Sequence, residues 1–183
     1  MEKDLNYKSD VIEFSPKQIL AGKIIAIAVA VLLAVWYVLV GVGVIQVPFW
    51  RIFTGSLLGA IGITLFLSGA VQKNSVSLWL SFPFLVPAVI EFLCTFGICG
   101  YQNLYPLYIA IPAISSLVCI TFSSGKGSHL KVIIFFLLQA SFYFLSTLGV
   151  FQIFVSVILS AVLLVLALVY ISIRIFRSGN SNE

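Results

Sequence analysis

Charge is scarce in this chain of 183 residues, which carries six acids, ten lysines or arginines and a single histidine. Charged residues make up 9% and hydrophobic ones 61%, where an average soluble protein has about a quarter of its residues charged. Such a composition excludes an ordinary soluble domain and a disordered chain. Cysteine is scarce as well. Cys94, Cys99 and Cys119 are odd in number and form no C-x-x-C pair, and His129 is the one histidine. A secreted disulfide scaffold is excluded, and a metal site lacks ligands. With one acid inside the apolar region and one loop histidine, no Ser/His/Asp set assembles on one membrane face without invoking the tail acids. We expect no enzyme and no cofactor. No basic patch interleaved with aromatics exists away from the membrane ends, which excludes a nucleic-acid partner.

What the chain has is long uncharged runs. Between Lys23 and Arg51 lie 27 uncharged residues, between Arg51 and Lys73 21, and between Lys131 and Arg174 42. A bilayer core takes ~20 apolar residues per helix, so the longest run is two helices and a tight turn. Residues 74–125, interrupted only by Glu91, hold two more. Six spans result: 20–44, 52–71, 76–97, 104–122, 131–149 and 153–175. The first 23 residues are polar and lack the short apolar core of a cleavable signal. Ser15-Pro16-Lys17-Gln18 supplies a hydroxyl cap, a proline at the first helical position and a glutamine three residues after the cap. The first helix therefore begins before the bilayer.

Cations set the orientation. Alternating the loops between two sides puts Lys3, Lys8, Lys17, Lys23, Lys73, Lys126, Lys131, Arg174 and Arg177 on one side and Arg51 alone on the other. The basic side faces the cytoplasm. The expected protein is a multi-pass one of the bacterial cytoplasmic (inner) membrane with both termini inside. Its tails are 1–19 and 176–183.

The outer turns repeat. Gly43-Val44-Ile45-Gln46, Gly97-Ile98-Cys99-Gly100 and Gly149-Val150-Phe151-Gln152 correspond, and Phe92-Leu93-Cys94-Thr95-Phe96-Gly97 matches Phe144-Leu145-Ser146-Thr147-Leu148-Gly149. The glycines are 54 and 52 residues apart, about the length of one helical hairpin across a bilayer and back. A glycine where the outgoing helix stops closes it in the left-handed conformation. The fold class is all-α, a polytopic membrane bundle of six transmembrane helices arranged as three tandem hairpins (20–71, 76–122 and 131–175).

A chain of this length, with three short-turned hairpins and cytoplasmic ends, resembles the HdeD family of bacterial inner-membrane proteins. That resemblance implies a non-enzymatic role in envelope or acid stress. The string Val44-Ile45-Gln46-Val47-Pro48-Phe49-Trp50-Arg51 before a Gly- and Leu-rich helix also resembles the membrane hairpins of LiaF-like envelope-stress regulators, whose polar tail is absent here. Ala26, Ala30 and Ala34 form an A-x-x-x-A-x-x-x-A stripe similar to that of substrate-binding subunits of energy-coupling-factor transporters. There it implies contact with a membrane-embedded coupling subunit. The partners expected are the lipid bilayer and either a second copy or a larger membrane complex.

Glu91 is the one acid within the spans. It lies six residues before Gly97, ~9 Å below the outer turn at 1.5 Å per residue. A buried carboxylate must be neutral, paired or hydrated, which makes it a functional candidate. Pro83 and Pro87 share its helix, and Pro106 and Pro112 lie in the next. Together they suggest that the middle hairpin lines a cavity or hinge. Tyr37 and Tyr143, six residues before Gly43 and Gly149, hold the equivalent repeat positions and are the expected partners of Glu91. Gly55 and Gly59, with Gly62 and Gly69, make a packing face on the second helix, inside the bundle or between protomers. Trp50, Tyr101 and Tyr105 fall where an interfacial aromatic belt would. Ser123-Ser124-Gly125-Lys126-Gly127-Ser128-His129 reads as a flexible cytoplasmic linker.

Overall fold

A computed structural model of the chain describes residues 15–121 and 126–179. The expected tails beyond residues 15 and 179, and residues 122–125 of the expected linker, lie outside the described residues. Among the described residues there are six α-helices: α1 Pro16–Gly41, α2 Phe49–Gln72, α3 Ser75–Thr95, α4 Tyr101–Ile120, α5 Lys126–Thr147 and α6 Ile153–Gly179. All six are long and apolar enough to cross a membrane. The protein is a multi-pass, all-α bundle of three tandem hairpins.

The helix ends follow the local sequence. Ser15 Oγ accepts from the Gln18 backbone N–H at 3.3 Å, and Gln18 Oε1 accepts from the Ser15 N–H at 2.9 Å. This capping box satisfies two amide donors that the first turn of α1 cannot pair internally. Residues 16–19 are therefore helical, as the capping signature of Ser15 to Gln18 predicts. The expected linker is corrected at its end, because α5 starts at Lys126 and takes in His129. Extending a helix by one residue adds a backbone hydrogen bond at little cost, so α5 runs past its apolar edge.

The three glycine turns are copies in atomic detail. Gly43, Gly97 and Gly149 have φ of 80°, 71° and 75°. Each glycine N–H reaches back to the carbonyl three residues before it (Val40, Cys94, Ser146) at 3.0–3.2 Å. The next N–H reaches the carbonyl five residues back (Leu39, Leu93, Leu145) at 2.9–3.1 Å. This is the Schellman closure, which uses up carbonyls the helix end would otherwise leave open. The first turn is two residues longer than the others before the next helix begins. The Val47 N–H bonds to the Ile45 carbonyl at 3.0 Å within it. That insertion accounts for the spacing of 54 against 52.

Packing does not follow the repeat. Among the described residues each helix backbone lies close only to its neighbours in the chain, and the closest pairs are α2 with α3 and α4 with α5. These pairs join different hairpins. Gly55, Gly59, Gly62 and Gly69 all turn toward α3. A Cβ on Gly62 would sit 2.7 Å from Leu85 Cγ and 2.9 Å from the Leu85 amide nitrogen, and one on Gly69 would sit 2.8 Å from the Leu78 nitrogen. The join between the two helices is equally short. Lys73 takes the left-handed conformation at φ 52°, and the Asn74 side chain caps α3 by accepting from the Val76 and Ser77 amides.

α4 lies between α3 and α5 and buries small residues, among them Ala110, Ala113, Ser116 and Cys119. Trp79 Nε1 donates to Ser116 Oγ at 3.4 Å, and Cys119 Sγ donates to the Ser75 carbonyl at 3.3 Å. The flanking helices are held by fewer contacts. α1 is tied at its start by reciprocal bonds between Gln18 and Gln72, each amide donating to the other's backbone carbonyl at 3.4–3.5 Å. α6 meets α5 through buried Ser156 and Ser160, with Ser156 Oγ donating to the Phe142 carbonyl at 2.7 Å.

Gly62→Ala should destabilise the folded protein by about 1–3 kcal/mol, since the new methyl meets a backbone nitrogen that cannot move without shifting α3. Gly41→Ala, where nothing lies within 4 Å, should be neutral or slightly stabilising. Unfolding in mixed micelles measures both, and equal losses at the two sites would contradict the packing described.

Candidate functional site

Glu91 sits where three helix ends meet. It is the fifth residue from the end of α3, beside the start of α2 and across the Gly97 turn from the start of α4. The glycine face of α2 admits it, because a Cβ on Gly55 would lie 3.0 Å from Glu91 Cβ. The carboxylate is neither sealed in the core nor paired as expected. Its Oε2 accepts a 2.6 Å hydrogen bond from the Tyr101 hydroxyl.

The expectation that Tyr37 or Tyr143 partners Glu91 is corrected. The Tyr37 hydroxyl donates to the Phe53 carbonyl at 3.2 Å, and its ring stacks on Phe53 at 5.7 Å. Tyr143 meets Tyr105 edge to face at 6.0 Å. Equivalent repeat positions do not converge because the helices lie side by side in chain order. Each copy of the hairpin therefore meets its own neighbours. Tyr101 reaches the acid instead, since a long side chain on the first residue of α4 spans a turn of only five residues.

A cavity of about 340 Å³ opens at this point, lined by Trp50, Arg51, Thr54, Glu91, Cys94, Thr95 and Tyr101. That volume falls within the 300–1,000 Å³ usual for small-ligand sites. Arg51 and Thr54 are three residues apart on α2 and share a helix face. Thr95 Oγ1 donates to the Arg51 carbonyl at 3.3 Å, which fastens the end of α3 to the first turn of α2. Trp50, 79% exposed, forms the outer wall. Both signs of charge, an aromatic face and three hydroxyl-bearing residues are thus gathered within one small volume.

The prolines do not line this cavity. α3 and α4 run unbroken through Pro83, Pro87, Pro106 and Pro112, and the middle hairpin lines the cavity through Glu91, Cys94, Thr95 and Tyr101. Each proline withholds one N–H from the carbonyl four residues earlier. Pro106 is itself wholly buried. Gly55 and Gly59 pack within the chain, against Glu91 and Ala88, whereas Ala26, Ala30 and Ala34 are exposed on α1. A second cavity of about 260 Å³ between α1 and α2 is walled by apolar residues such as Val29, Leu33 and Ile63. Its one hydroxyl, on Ser56, accepts from Trp36 Nε1 at 2.9 Å.

Sequence reasoning missed Arg51, Thr54, Thr95 and Tyr101 as neighbours of Glu91. Arg51 was legible only as the lone cation of its side, and Tyr101 and Trp50 only as belt aromatics. Their common signal is position, since all three lie within two residues of the start of a helix at the end where Glu91 lies. No family model, no curated protein and no solved structure matches the chain.

Tyr101→Phe should cost about 1–3 kcal/mol through loss of the bond to a carboxylate. In a double-mutant cycle with Glu91→Gln the two losses should couple. Tyr143→Phe should show no coupling to Glu91→Gln, and a coupling as large as that of Tyr101 would overturn the assignment.

Proposed function

We propose that this chain acts without catalysis, as a multi-pass protein of the bacterial cytoplasmic membrane with both termini inside. It works in envelope or acid stress by assembling with a second copy or with a larger membrane complex. The stress role is what the resemblance to the HdeD family implies, and the observation that carries the assembly is the exposed stripe of Ala26, Ala30 and Ala34 on α1. In lipid, apolar bulk gives a helix no reason to leave its lipid neighbours, whereas small residues allow a partner helix close contact. The stripe runs over nine residues, about 12 Å of helix axis, enough for one crossing. The orientation is supported by charge. Lys17, Lys73, Lys126 and Lys131 gather at the end of the bundle opposite Arg51.

Purification in a mild detergent followed by native mass measurement tests the proposal. The expected result is a mass above one chain, reduced to the single chain by Ala30→Leu while helicity is unchanged. A single-chain mass in the unsubstituted protein, with no co-eluting partner, would remove it.

A second reading is favoured by the cavity at Glu91. In it the chain is a small-substrate-binding membrane subunit of an energy-coupling-factor-type transporter. This reading requires a co-purifying ATPase module and a ligand that raises the melting temperature. Assembly through the alanine stripe alone requires neither.

A further inference from the structure

The cavity at Glu91 holds opposite charges in a fixed order. Arg51 belongs to the first turn of α2, at the mouth. Glu91 packs against Gly55, four residues further along the same helix, which is ~6 Å deeper at 1.5 Å per residue. The Tyr101 hydroxyl occupies Oε2 of the carboxylate and steadies it. Trp50 and Tyr101 line the same cavity as the carboxylate. A carboxylate next to aromatic faces selects a cation, most strongly a primary ammonium that can also donate hydrogen bonds. Toward the start of α2, Arg51 and Thr54 share one face of the helix and both line the cavity. A planar fork of N–H donors joined by a hydroxyl suits the several oxygens of a phosphate.

We infer that this cavity is a binding site for a small zwitterion, an aminoalkyl phosphate whose ammonium enters first and meets Glu91 while its phosphate stays at Arg51 and Thr54. The phosphoethanolamine group is the simplest member of that class, and it occurs both as a free solute and as a lipid headgroup. The order of charges favours the solute. A lipid of the nearer leaflet carries its phosphate deeper than its amine, whereas here the cationic residue is at the mouth and the acid below it. The inference depends on the second reading above only in that the cavity takes a ligand. An ATPase module can fail to co-purify while the zwitterion still binds, so the two stand or fall separately.

The test is a melting-temperature titration of the full chain in a neutral detergent with O-phosphoethanolamine, repeated with ethanolamine and with inorganic phosphate. A parallel arm uses nanodiscs with and without phosphatidylethanolamine. At about a hundred times its dissociation constant the zwitterion should raise the melting temperature by roughly 5–10 °C. Each half-molecule should bind at least tenfold more weakly, and E91Q and R51Q should each lose tenfold or more. Because R51Q alters an exposed rim residue, it keeps the test valid should E91Q fold poorly. A shift with the soluble compound identifies the solute as the source, and one confined to the lipid arm identifies the headgroup. No shift in either arm, or half-molecules that bind as well as the whole, would overturn the site.

Discussion

Two helices in hydrocarbon gain nothing by hiding apolar side chains from one another, because lipid is just as apolar. Close contact must hold them instead, and α2 and α3 achieve it by removing side chains from the interface. At Gly62 and Gly69 even a methyl group would press on the backbone of α3. At Gly55 the space is taken by Glu91. The same approach that binds the two helices therefore sets the depth of the acid and puts it one turn below Arg51. Thr95, bonding to the Arg51 carbonyl, fixes that register from the end of α3. The cavity is the space left at the top of an interface that is closed below.

The hairpin repeat and the packing are two different orders on one chain. The repeat is local, a Schellman closure written three times with the same carbonyls and amides in the same places. Packing depends on which faces are small. α2 presents glycines, α4 buries alanines and serines, and both of the closest helix pairs join one hairpin to the next. α1 and α6 stand at the two ends of the series. α1 turns its alanine stripe outward, while α6 spends its small residues, Ser156 and Ser160, on α5. The two outer helices therefore leave different surfaces to the membrane.

Much of the local structure was legible from the residues. Ser15 and Gln18 announced a capping box, and Gly43, Gly97 and Gly149 announced left-handed closures. These depend on atoms within six residues of each other, so sequence order is close to spatial order. The partner of Glu91 was not legible in this way. Counting back from the turn glycines to Tyr37 and Tyr143 assumes that the copies converge on a common axis, and the serial packing of the helices prevents it. Tyr101 was within ten residues of Glu91 all along, but reading it required the direction of a side chain across a turn.

The sequence by itself determined six apolar helices, their three glycine turns, the division of cations between the two ends and the presence of a single acid within the spans. Each follows from residue type along the chain, because lipid requires every backbone amide to be satisfied within its own helix. Only the tertiary structure decided which faces of those helices touch. It turned the glycines of α2 inward and the alanines of α1 outward, and it joined Arg51, Glu91 and Tyr101 from three helices at one cavity. Such choices rest on close contacts between residues tens of positions apart, so the spacing of the glycines marks a packing face without naming the helix it meets.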